Sequence, residues 1–190
     1  TCATRNGAKV ADFPALLGDI GGTNARFALL DAAGRITAMR ILSTRDHANL
    51  AAAACAYLAK AKAAPRTAAI CLACPVEGDR VALTNLGWEF SLKELQAALG
   101  LERLEAVNDF AAVALAVPHL APGDIAVIGG GAAASGAPVG VIGAGTGLGV
   151  ASLLAEGQGF RALPGEGGHV TMPAGDAEEA EVLALLRKRF

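Results

Sequence analysis

The sequence predicts an α/β protein with a five-stranded mixed sheet and flanking helices, followed by the start of a second α/β lobe. Three observations carry this expectation. Apolar runs of strand length alternate with stretches of helical periodicity, glycine doublets punctuate the runs, and Pro122-Gly123 interrupts the alternation like a hinge.

Taken in order, Ala15 to Leu17, Ala25 to Leu30 and Arg35 to Leu42 read as three strands of a meander, separated by a glycine doublet and by Asp31 with Gly34. Asp46 then offers a cap for a helix whose Leu50, Ala54, Tyr57, Leu58 and Ala61 share one face, closed by Pro65. Ala68 to Ala73 supplies a fourth strand. Ser91 and Glu94 form a capping box for a short helix stopped by Gly100, and Leu104 to Val107 is the fifth strand. Asn108 and Asp109 follow it directly and open an apolar helix that Pro118 closes. The first lobe is expected over 1–120. From 121 a second lobe begins, with a strand over Ile125 to Ile128 and a strand pair over Val139 to Ile142 and Val150 to Leu154. Asp176 and Glu179 cap a last helix carrying Ala180, Val182, Leu183 and Leu186 on one face. This second lobe reads as cut short.

The composition excludes several classes. Sixteen Lys plus Arg against eighteen Asp plus Glu leave a formal charge of -2, without the basic footprint of a nucleic-acid binder. The N-terminal stretch, broken by Asp12 and Pro14, does not read as a secretory signal. The charge-free run between Asp124 and Glu156 holds nine glycines and Pro138, so it reads as buried strands and turns rather than a membrane span. Cys71 and Cys74 form a CxxC, but strand alternation would send the two thiols to opposite faces. Buried structural thiols in a reducing cytoplasm are the expectation.

Four motifs carry chemistry. In GDIGGTN, Gly18 to Asn24, glycines at a hairpin tip let backbone N–H groups approach an anion, Thr23 and Asn24 add donors, and Asp19 can hold Mg2+ through water. The plain alternative is a tight hairpin with Asp19 as a turn residue. GAGTGLG, Gly143 to Gly149, repeats the pattern; Leu148 spoils a dinucleotide fingerprint, and no Lys completes a Walker loop. It reads as a second glycine-lined hairpin, able to clamp a triphosphate with the first or merely to turn the chain. Asp109 sits at the C-terminal end of a strand, where it can accept a proton from a sugar hydroxyl attacking a γ-phosphate, or, with Asn108, only cap the helix. Glu166 and His169 in PGEGGHV can bridge ring hydroxyls; a metal site and a solvated loop are the alternatives.

In this order and spacing the four runs resemble the bacterial glucokinase family of the actin, hexokinase and heat-shock ATPase superfamily, supported by CPVEGDRVALTN at 74–85 and by Trp88. The resemblance implies a ribonuclease H-like first lobe. It also implies phosphoryl transfer from MgATP to the 6-hydroxyl of glucose. By it, Gly18, Asp19, Ile20, Gly21, Gly22 and Thr23 would bind ATP phosphates together with Gly145, Thr146 and Gly147. Asp19 would hold Mg2+ through water, Asp109 would be the general base, and Asn108, Asp109, Glu166 and His169 would hold glucose. A homodimer belongs to the same set of expectations, with neither nucleic acid nor membrane as partner. The sister repressor and kinase family carries a cysteine-rich zinc loop after the histidine; here the segment reads VTMPAGDAEEA, so no zinc is expected. Members of the family continue past the point corresponding to Phe190, which would leave these residues alone with weak or no turnover. A sugar-sensing regulatory domain and an inactive fragment are the competing readings.

Overall fold

The computed structural model describes residues 15–189 apart from Thr84, Ala133 and Thr146. β1 (Ala15–Ile20), β2 (Asn24–Leu30) and β3 (Ile36–Ser43) form the expected meander, and β1 extends three residues further than its apolar run, taking Asp19 into the strand. Asn49, not Asp46, caps α1 (Leu50–Ala61): its side chain accepts from Ala52 N at 2.8 Å, while Asp46 closes a 3-10 turn. Lys62 in the left-handed region ends the helix before Pro65 is reached. β4 (Thr67–Leu72) runs parallel to β1. A hairpin of β5 (Arg80–Leu83) and β6 (Trp88–Ser91), absent from the sequence expectation, precedes α2 (Leu92–Leu99). β7 (Arg103–Asn108) runs parallel to β4 and leads into α3 (Asp109–Ala116).

The first sheet has the order β3-β2-β1-β4-β7, five strands of mixed direction as expected. One face is packed by α1 and α2 around Leu16, Ile20, Phe27, Leu29, Leu50, Tyr57 and Leu72, each at most 1% exposed. The Phe27 and Tyr57 rings stack at 5.3 Å, and the Tyr57 hydroxyl donates to the Ala38 carbonyl at 3.1 Å. That bond ties the core to the irregular stretch of β3 where Ala38 adopts a φ of 53° and the register with β2 shifts.

The α2 start shows how the caps hold. Ser91 Oγ accepts from Glu94 N at 3.1 Å and donates to Asp79 Oδ2 at 2.7 Å, while Asp79 Oδ1 accepts from Lys93 N. These bonds, the Ser91 one first, lower the pKa of Asp79. A depressed carboxylate pKa contributes stability above the unfolded value of about 3.9 and loses it as pH falls through the folded value. Ser91→Ala is therefore expected to cost ~0.5–2 kcal/mol in urea unfolding at neutral pH, and to show a smaller further loss in acid than wild type does. Gly100, at a φ of 68°, ends the helix in the left-handed conformation a C-cap requires.

A second sheet, β10-β9-β8, is built from β8 (Val139–Ala144), β9 (Leu148–Glu156) and β10 (Gly159–Gly165). Its core of Ala114, Ala151 and Leu153 shows that α3 packs on this sheet. The strand expected at Ile125 to Ile128 does not form: these residues follow a 3-10 turn at Pro122–Asp124, and Val127 and Ile128 are 86% and 95% exposed. An apolar run without a partner strand leaves its backbone groups to water. α4 (Ala177–Arg189) starts at the expected Asp176, whose Oδ1 accepts from Glu179 N at 2.9 Å, but its expected apolar face stays largely exposed. No helix among the described residues is long and apolar enough to cross a membrane.

Candidate active site

The parallel strands β1, β4 and β7 end at one edge of the first sheet, the place where open α/β sheets bind ligands. Their register aligns Asp19 with Cys71 and Val107, and one step further Ile20 with Leu72 and Asn108. Asp109 is the next residue. Residues 19 and 109, ninety positions apart, thus come to the same edge of the sheet.

At the first hairpin, Gly18 lies on the core face: a Cβ there would meet Ile70 Cγ2 at 2.7 Å, so the strand tolerates no side chain without displacing its neighbour. Ile20 is fully buried beside it. Gly21, Gly22 and Thr23 form the turn, closed by Gly21 N donating to Asn24 O at 2.9 Å. Thr44, 1% exposed, donates its hydroxyl to Gly22 O and its N–H to Thr23 O. Those carbonyls are occupied, while among the described residues no hydrogen bond engages the N–H groups of Gly22 and Thr23. Such a turn presents donors outward.

Asp19 is half-exposed and held on both sides. Arg26 donates to Oδ2 at 2.8 Å, and the Cys71 thiol donates to Oδ1 at 3.5 Å. Burial, the Asp19 charge and its hydrogen bond, and the charge of Asp109 push Cys71 up to about 12, so it remains a protonated donor. Burial and the Asp109 charge also raise Cys74. Both thiols therefore stand within the field of one carboxylate. β4 ends at Leu72, so strand alternation does not itself reach Cys74, which packs against the first core while Cys71 bonds Asp19.

Asn108 caps α3, accepting from Phe110 N at 3.0 Å and Ala111 N at 3.2 Å, and its Nδ2 donates to Asp109 Oδ1 at 2.9 Å and to Cys74 O at 3.3 Å. Asp109 Oδ1 also accepts from Phe110 N at 2.8 Å. Oδ1 is thus saturated, and Oδ2 makes no hydrogen bond among the described residues. A carboxylate clamped by one oxygen keeps the other available as a proton acceptor. A cavity of about 450 Å³, bounded by Val76, Val107, Ala111, Phe160 and Arg161, opens beside Asn108.

In the second hairpin the glycines divide. Gly143 and Gly149, paired across β8 and β9, contact the Phe110 ring, whereas Gly145 and Gly147 have nothing within 4 Å of where a Cβ would stand. Thr146 lies outside the described residues. Gly167 and Gly168 lie against Val150 and Leu148; a Cβ on Gly168 would come 2.4 Å from the Leu148 carbonyl oxygen. This close approach sets the turn carrying Glu166 and His169 on β9, beside the second hairpin. Glu166 Oε2 and His169 Nδ1 are 2.9 Å apart, and both side chains are well exposed.

Thr44, Arg26 and Phe110 escaped the sequence reading, and Cys71 was read there as a structural thiol rather than as a partner of Asp19. Only the position of Arg26 was open to inference, since a hairpin turning at Gly21–Thr23 places residue 26 opposite residue 19.

The family model for glucokinase matches residues 16–190. This chain belongs to the glucokinase family. Over 181 residues it is 51% identical to the glucokinase of Aromatoleum aromaticum, an alignment covering 94% of this chain and 55% of that protein. The chain therefore spans about half the length of the curated glucokinases it matches. Among solved structures, a glucokinase from an Antarctic psychrotroph superposes with a TM-score of 0.78 at 39% identity, over 92% of this chain and 56% of that one. A ROK family glucokinase from Streptomyces griseus, in complex with glucose and AMPPNP, superposes with a TM-score of 0.56 at 25% identity, covering 83% of this chain and 51% of its own. These glucokinases share the actin-like ATPase fold.

Proposed function

We propose that this chain is part of a glucokinase that transfers the γ-phosphoryl group of MgATP to the 6-hydroxyl of glucose, giving glucose 6-phosphate and ADP in the cytoplasm as an entry step of glycolysis. The observation that carries the reading is Asp109: its Oδ1 is saturated by Asn108 and Phe110, its Oδ2 is open, and it stands at the sheet edge it shares with Asp19. Family membership and the relative bound to glucose and AMPPNP support it.

In this reading Asp109 Oδ2 accepts the proton of the attacking hydroxyl, and Asn108, Glu166 and His169 hold the remaining hydroxyls of the sugar. Gly22 and Thr23 offer N–H and hydroxyl donors to ATP phosphates, with Gly21 closing the turn and Gly18 and Ile20 supporting it from the core. Gly145 and Gly147 line the opposing cradle in a second lobe beginning at 121, a role the family resemblance extends to Thr146. Asp19 would meet a Mg2+ ion through water rather than directly: its carboxylate is half-exposed, but Arg26 and Cys71 already bond its two oxygens, so waters and the phosphates would form the shell. Bound there, the ion would neutralise charge on the phosphates. No zinc is needed, and a homodimer is the assembly this reading carries.

The test is glucose-dependent ADP release by the full-length protein with MgATP, followed in a coupled assay. Turnover that requires glucose is expected. Glucose binding by calorimetry without any turnover would instead support the sugar-sensing alternative.

A further inference from the structure

We infer that Phe110 is a positioning residue that locks the proposed base to the second hairpin, its ring seated in a slot made by Gly143 and Gly149 and its N–H bonded to the Asp109 carboxylate. The inference rests on the kinase reading of Asp109.

The slot is defined by what it refuses. Gly143 and Gly149 face each other across β8 and β9. A Cβ on Gly149 would lie 1.9 Å from Phe110 Cε2 and 2.1 Å from Cδ2, and one on Gly143 would lie 2.7 Å from Cζ. Real Cβ atoms do not approach so closely, so only glycine at both positions lets the ring sit where it does. Gly145 and Gly147 at the tip meet no such obstacle. One motif therefore performs two tasks, with its inner glycines packing a ring and its outer ones remaining open.

The other end of the same residue reaches the base. Phe110 N donates to Asp109 Oδ1 at 2.8 Å and to Asn108 Oδ1 at 3.0 Å. Any shift of the ring passes through one peptide unit to the carboxylate. Elsewhere the contact of α3 with its sheet runs through the aliphatic side chains of Ala114, Leu115, Val141, Ala151 and Leu153, with no second ring among them. The ring in its slot thus fixes the first turn of α3 against the hairpin, so that base and hairpin move together. Misplacing a catalytic group by about 1 Å costs on the order of 10²-fold in rate.

The test compares Phe110→Ala, Phe110→Leu, Gly149→Ala and the Phe110→Ala/Gly149→Ala double variant of the full-length protein. Phe110→Ala is expected to lower kcat by roughly 10- to 100-fold with little change in the KM for glucose, and Phe110→Leu to recover part of that loss. Gly149→Ala, whose methyl expels the ring, is expected to lower kcat similarly. The double variant should be no worse than either single one, because the methyl then occupies vacated space. A kcat of Phe110→Ala within about twofold of wild type, or losses that multiply in the double variant, would overturn the inference. Should Phe110→Ala fail to fold, as judged by lost glucose binding, Phe110→Leu decides on the same kcat criterion. A wild-type protein without glucose-dependent ADP release would fail the kinase reading instead, a result separate from normal rates in the variants.

Discussion

Asp109→Ala in the full-length protein is expected to lower kcat for glucose phosphorylation by ~10²–10⁴-fold, the usual contribution of a positioned general base. Glucose binding should survive. The substitution removes the open Oδ2 and the Oδ1 acceptor, but Asn108 Oδ1 still accepts from Phe110 N and Ala111 N, so the α3 cap persists. Asn108 Nδ2 also keeps the Cys74 carbonyl, at 3.3 Å. The sugar contacts proposed for Asn108, Glu166 and His169 are untouched. Steady-state kinetics with calorimetric glucose binding check this: a kcat within about tenfold of wild type would remove Asp109 from the role of base. Lost binding together with lost rate would point to a sugar-holding role alone.

Phe27→Ala is expected to destabilise the protein by ~3–5 kcal/mol, a large part of the ~5–15 kcal/mol that keeps a domain folded. Phe27 is 1% exposed, stacks on Tyr57, and lies across from Gly18, where no side chain can move in to fill the space. Tyr57 in turn holds the Ala38 carbonyl, so the loss spreads to the bulge of β3. Because β2 pairs Phe27 with Gly18, next to Asp19, the cavity would also loosen the first hairpin. Urea unfolding gives the number. A loss under about 1 kcal/mol would mean that the core closes over the gap, contrary to the tight packing around Gly18.

The candidate site was legible unevenly. Asn108 and Asp109 stood out because a cap followed by an apolar helix is a local pattern, and the structure places both at the end of β7 as that pattern demands. Glu166 and His169 stood out as polar groups of one glycine-rich turn able to bridge hydroxyls, but that they pair with each other at 2.9 Å came only with the structure. The two glycine motifs were visible as motifs, but not the jobs of their members. Gly18 packs against Ile70, Gly143 and Gly149 receive Phe110, and Gly168 lies on the Leu148 carbonyl. Each reason is a neighbour far away in sequence. The β5 and β6 hairpin was missed because its four-residue strands are too short to show a period, and the run at Ile125 to Ile128 was overread because apolarity without a partner makes no strand.

The sequence by itself determined what depends on neighbours within a turn or two: strand and helix periods, the Ser91, Asn108 and Asp176 caps, and the Gly100 stop. These follow from backbone donors and acceptors that a nearby side chain satisfies. Only the tertiary structure decided that Asp19, Cys71 and Asp109 gather at one sheet edge, that Arg26 and Cys71 clamp Asp19, and that a ring beside Asp109 occupies a slot in the second hairpin. Strand register and close packing are fixed by which distant surfaces fit without overlap, a property of pairs of segments that neither segment carries alone.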